Sequence, residues 1–204
     1  MRIKTIAVSL ACFFFLAAGE CRSGWTPLKL QVSADGWLWP QADTVAGLNF
    51  NFAGDTPSLY GLQFGFQNGA NTAMGAQLGL VYNYALDGFY GFQLSPARNF
   101  ADSQYGAQFG GWNVSAEMRG VQGGWLRNEA GSGAGLMLAP WNVARARFGG
   151  VQLGFYNDVP GDMSGLQIGA VNICRGTLHG LQLGFANIAR NGMLPFTIGL
   201  NAGF

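Results

Sequence analysis

A six-residue phrase recurs along this chain: Gly, apolar, Gln, apolar, Gly, apolar. It stands as Gly61-Leu62-Gln63-Phe64-Gly65-Phe66 and returns as Gly165-Leu166-Gln167-Ile168-Gly169-Ala170. Strict two-residue alternation marks a β-strand with two unlike faces. The central Gln falls at Gln63, Gln77, Gln93, Gln108, Gln122, Gln152, Gln167 and Gln182. Met137 fills the gap between Gln122 and Gln152, Thr197 fills the last slot, and Asn49 and Gln31 extend the series upstream, giving twelve units. The step is 14–16 residues from Asn49 onward and 18 before it. So regular a period makes each unit a copy of one structural element.

The two faces differ sharply. Beside the Gln stand glycines, such as Gly61 and Gly65 or Gly180 and Gly184; the opposite face carries Leu62, Phe64 and Phe66, or Leu181, Leu183 and Phe185. Between phrases lie turn dipeptides, including Asp87-Gly88 and Asn191-Gly192, which tolerate positive φ. A unit therefore divides into about eleven residues of strand and about four of turn, and a tilted bilayer-crossing strand needs about nine to eleven. Every acidic residue after Glu20 falls between phrases, and so do nearly all basic ones; Lys29 is the exception. A charge on a lipid-facing strand costs about 2–4 kcal/mol near the midplane. That accounts for a greasy face, though not for the neutrality of the Gln/Gly face.

The chain begins with Arg2 and Lys4, an apolar run from Ile6 to Phe15, and the small residues Ala17 and Gly19. This predicts a secretory signal over 1–19, leaving 20–204 as one domain. Once Arg2 and Lys4 leave, nine basic residues face ten acidic ones, a net charge of −1. That balance gives no electrostatic reason to expect nucleic acid. Cys21 is a candidate either for lipidation or for a disulfide with Cys174. Charged residues make up 10% of the chain, against roughly 25% in ordinary soluble domains.

The chain ends Phe196-Thr197-Ile198-Gly199-Leu200-Asn201-Ala202-Gly203-Phe204. This resembles the C-terminal signal of bacterial outer-membrane β-barrel proteins: a last strand of alternating apolar residues closed by Phe. On that resemblance Leu200, Ala202 and Phe204 are membrane-assembly residues, read by the outer-membrane assembly machinery. The repeat phrase, over most of 61–204, also resembles the Gly-x-Gln-x-Gly surface repeats of spirochaete and other Gram-negative proteins. That likeness implies a location and little more.

These patterns predict an all-β chain: an up-and-down antiparallel transmembrane β-barrel of about 12 strands. Leu and Phe would face lipid, and the eight glutamines with Thr197 would line the lumen. The alternative is a β-solenoid of 15-residue repeats with its greasy face inward, favoured because the phrase always runs in one chain direction. The barrel predicts a passive, weakly selective outer-membrane pore for small polar solutes, or a structural surface protein. The solenoid predicts a secreted or surface-anchored adhesin or ligand-binding module. Catalysis is not expected. His179 is the only histidine, and no two strand-borne carboxylates stand ready as acid and base. No metal-ligand spacing and no cofactor motif occur.

Overall fold

The computed structural model describes residues 24–33, 37–39 and 42–204. The expected signal over 1–19 and Cys21 lie outside the described residues. The strands are β1 (Trp25–Gln31), β2 (Trp37–Trp39), β3 (Thr44–Leu138), β4 (Trp141–Ala144) and β5 (Phe148–Leu153). They continue as β6 (Tyr156–Val159), β7 (Met163–Ile168), β8 (Val171–Cys174), β9 (Leu178–Ala189) and β10 (Phe196–Gly203).

The pairing overturns the antiparallel barrel. β3, β5, β7 and β9 pair in parallel down one side. β3, β4, β6, β8 and β9 pair in parallel down the other. The chain is a coil of stacked rungs, a parallel β-solenoid. A fifteen-residue unit is thus not one long strand and a turn. In the coil that starts at Met163 it is a six-residue strand, a corner at Gly169-Ala170, a four-residue strand, and a corner at Arg175-Gly176-Thr177. The residues assigned to turns from the sequence contain a second strand. Asp158 and Glu129, read as loop charges, sit within strands.

A column of glycines sets the register. Gly47, Gly61, Gly75, Gly91, Gly106, Gly120, Gly135, Gly150, Gly165 and Gly180 lie one above another, with φ between 130° and 153°. The first of them stacks on Pro27. Eleven parallel rungs result, from the Leu28 rung to the Leu181 rung.

The first and last units of the sequence count need correction. Lys29, not Gln31, stands beside Asn49, and Gln31 pairs with Asn51. At the other end β10 runs antiparallel to β9, so Asn201 meets Gln182 while Thr197 meets Asn187. β2 likewise runs antiparallel to β1. Each end of the stack therefore carries a reversed strand, β2 beside Leu30 and Gln31 and β10 along most of β9.

The greasy face points outward, opposite to the inward packing that the solenoid alternative assumed. The interior has an apolar half and an amide half. One half holds Met118, Ala130, Met137, Ala144, Phe148, Val159 and Met163 in one cluster and Val45, Leu59, Ala73 and Phe89 in another. Cys174 lies in the first cluster with its thiol free, and burial raises its pKa.

Candidate interaction surface

The eight glutamines are fully buried, and what surrounds them is packed amide. Six of them donate to the glutamine one rung earlier, among them Gln77 to Gln63 at 2.8 Å, Gln93 to Gln77 at 2.6 Å, Gln108 to Gln93 at 2.7 Å and Gln167 to Gln152 at 2.8 Å. The second N–H of Gln182 reaches the carbonyl of Ile188 at 3.2 Å. Asn201 closes the row by donating to Gln182 at 3.3 Å. Thr197 lies outside it, only partly buried.

Opposite runs a second ladder that the sequence reading missed. Asn51, Asn68, Asn83, Asn99, Asn113, Asn128, Asn142, Asn157, Asn172 and Asn187 are joined by nine amide–amide bonds of 2.8–3.0 Å. Here each amide donates to the next rung, opposite in sense to the Gln row. A second N–H on most of them reaches a corner carbonyl one rung on, as from Asn172 to Leu183 at 2.9 Å. The signal was in the sequence: an Asn stands five or six residues after nearly every Gln. Such ladders satisfy buried amides by stacking identical side chains.

Two rungs depart from the amide rule. Lys29 fills the Gln slot of the first rung and donates to the Asp55 carbonyl at 3.1 Å and to Thr56 Oγ1 at 3.2 Å. Burial lowers its pKa, opposed by the charges of Asp55 and Asp43. Met137 offers only sulfur, 3.4 Å from Gln152 Nε2, and Gln122 Oε1 is left without a partner. Met137→Gln is expected to rejoin the row. A net hydrogen bond contributes about 0.5–1.5 kcal/mol, so stability should rise by about 1 kcal/mol after the lost apolar contact is counted. A higher urea midpoint at constant slope would show it; a lower midpoint would mean that the methionine cluster matters more.

Because the interior is filled, the surface is where this protein can act. Three outward rows flank each Gln, at positions −1, +1 and +3. They read Leu62, Phe64 and Phe66 on one rung and Leu181, Leu183 and Phe185 on another, and no charged residue stands in these three rows among the described rungs; the +3 row stands at the corner that Ala170 marks, and the −3 row on the other side carries Arg119 and His179. Leu80, Phe155 and Phe185 are 69%, 70% and 80% exposed. Eleven rungs about 4.8 Å apart and three rows about 6.7 Å apart make a face of roughly 50 by 20 Å. Toward the N-terminal end it is relieved by a groove of about 800 Å³. Gly65 and Gly79 are set among Phe50, Phe64, Phe66 and Leu80 in its walls. Rings in the walls stack across rungs, Phe50 on Phe64 at 5.6 Å and Phe52 on Phe66 at 5.1 Å.

The second face differs. Tyr82, Arg98, Trp112 and Arg127 alternate up the stack, with Arg98 4.8 Å above the Trp112 ring and Arg127 5.6 Å from it. Trp141 and Tyr156 continue the column at 5.1 Å. Trp112 and Trp141 in this column are exposed at 37% and 52%. Glu129 is held between Arg127 at 3.0 Å and Arg145, and Asp158 pairs with Arg175 at 3.1 Å. These charges are already partnered within the fold.

The terminal residues form part of the cap. Ala202 is buried, whereas Leu200 is half exposed and Phe204 is 93% exposed. His179 is exposed. No group of three His, Cys, Asp or Glu able to hold a metal occurs among the described residues.

Fold and surface together define a class: a capped parallel β-solenoid with an amide interior and an apolar exterior face. Comparison with family models, with curated proteins and with solved structures gives no significant match.

Proposed function

We propose that the chain is an exported surface repeat module that binds through its flat apolar face, as an adhesin or ligand-binding scaffold does, and that it is not an enzyme. One observation carries this reading. A charge-free apolar face running the length of the stack far exceeds the few hundred Å² usual on a soluble monomer. Keeping it exposed is costly unless something covers it. The repeat architecture supports the same reading, because stacked coils build long flat binding surfaces. The expected secretory signal supports export. A pore has no support, since apolar and amide side chains fill the interior in place of a lumen.

Two measurements test the reading. Antibody labelling of intact producing cells, with the culture medium assayed alongside, should detect the protein at the surface or outside; confinement to the cytosol would reject export. The purified chain should be retained on phenyl-substituted resin at moderate salt, while Leu80→Lys with Phe92→Lys should elute early. Equal retention of the two proteins would show that this face is not the binding surface.

A further inference from the structure

We infer that two copies of this chain pack apolar face against apolar face, about a twofold axis that runs along the strand direction through the Gln108 rung. The inference rests on the reading of that face as the working surface, and it names the partner.

The first support is size. A face of roughly 50 by 20 Å, from the rung and row spacings, offers on the order of 800–1,000 Å². A stable interface buries about 800 Å² on each partner. Packing of two sheets at about 10 Å is the usual way to bury such a surface. The second support is charge. A face that meets its own copy must match each charge with the residue it meets across the twofold axis, and the three rows here carry no charge to match.

The third support is relief. The groove is lined by the first five rungs and by Trp125 of the seventh, with Gly65 and Gly79 set among Phe and Leu side chains. The most exposed knobs, Phe155 and Phe185, stand in the +3 row of the ninth and eleventh rungs. A twofold axis through the sixth rung reverses the stack while keeping row against row. It sets Phe155 over the Phe66 rung and Phe185 over the Leu30 rung, both lining the groove. At the axis itself the rung carries Ala107, Phe109 and Gly111 in the three rows, so that Phe109 would meet its own copy. Knob and groove on one face, related by its midpoint, is the self-complementarity that an isologous dimer requires.

Sedimentation of the purified chain at micromolar concentration should give a dimer. Phe155→Asp with Phe185→Asp should give a monomer with an unchanged far-ultraviolet dichroism spectrum, since both side chains lie outside the core. In a Cys21→Ser background, a mixture of Phe66→Cys and Phe155→Cys proteins should cross-link with a short bismaleimide. Phe155→Cys alone should not, because its two copies would lie about 29 Å apart, six rungs of about 4.8 Å. A monomeric wild type, a dimeric double-Asp variant, or self-cross-linking of Phe155→Cys would overturn the arrangement. A wild-type monomer that phenyl resin still retains would reject the dimer and leave the proposed function standing; loss of both would reject both.

Discussion

Gly150→Ala is expected to be severely destabilising, while Gly149→Ala, one residue earlier, is expected to leave stability within about 0.5 kcal/mol of wild type, as at most surface positions. Gly150 has φ +130°, a region that L side chains avoid, and a Cβ there would stand 2.1 Å from the carbonyl oxygen of Gly135. That oxygen belongs to backbone already fixed by the parallel register, so it cannot step aside. The only relief is to part the rungs, which breaks the pairing of β5 with β3 and strains both amide ladders. Backbone strain costs about 1–3 kcal/mol and overpacking about 1–3 kcal/mol more. The lost hydrogen bonds then bring the total to a sizeable part of the 5–15 kcal/mol that typically holds a domain together. Gly149 points outward, and a Cβ there would meet only the Ala134 Cβ at 3.8 Å. Thermal unfolding followed by circular dichroism separates the two variants. A Gly150→Ala protein melting within a few degrees of wild type would show that the glycine column does not set the rung spacing.

This contrast also shows what could be read from the sequence. Period and alternation located the glycine column and the Gln row without any coordinates. What alternation could not supply was the fold of the remaining nine residues of each unit. Phe155-Tyr156-Asn157-Asp158-Val159-Pro160-Gly161 looks like a turn because Asn, Asp, Pro and Gly crowd together. Here Asn157 is a buried rung amide, bonded to Asn172 at 2.8 Å, and Asp158 is neutralised by Arg175. A propensity for turns was overridden by a ladder that exists only when coils stack. The one-way direction of the phrase was the available clue to parallel stacking. It was outweighed by a match of strand length to bilayer thickness that depended on counting one long strand per unit.

The ends misled for a different reason. Register by spacing placed Gln31 and Thr197 in the amide row, but Lys29 and Asn201 occupy it, because caps need not keep the period of the coils they close. The terminal alternation of Phe196 to Phe204 is real, yet it serves a reversed strand lying across the last rung. The greasy face was visible throughout. Its outward direction followed from the interior being full of amides, a fact that only the second ladder reveals.

Asn142→Asp should therefore be severely destabilising near neutral pH and partly rescued in acid. Asn142 Nδ2 donates to Ala139 O at 3.1 Å, Leu153 O at 2.9 Å and Asn157 Oδ1 at 2.9 Å, and its oxygen accepts from Asn128 at 3.0 Å. Aspartate keeps the shape and replaces that donor with an acceptor facing three oxygens. A buried carboxylate so placed takes up a proton, which raises its folded pKa above the unfolded value of about 3.9. Between those two values the native state binds more protons than the unfolded chain, so stability falls as pH rises. Each pH unit in that window costs about 1.4 kcal/mol, or up to about 4 kcal/mol by pH 7. In acid the neutral carboxyl can still donate one hydrogen bond and continue the ladder. Asn142→Ala is the control. It forfeits hydrogen bonds and leaves a small void at a cost of about 2–4 kcal/mol, and it adds no titrating group, so its deficit relative to wild type should be the same at pH 4 and pH 7. Urea midpoints at the two pH values read the difference directly. An Asn142→Asp protein whose deficit does not change with pH would mean that solvent reaches this position and that the asparagines are not a sealed ladder.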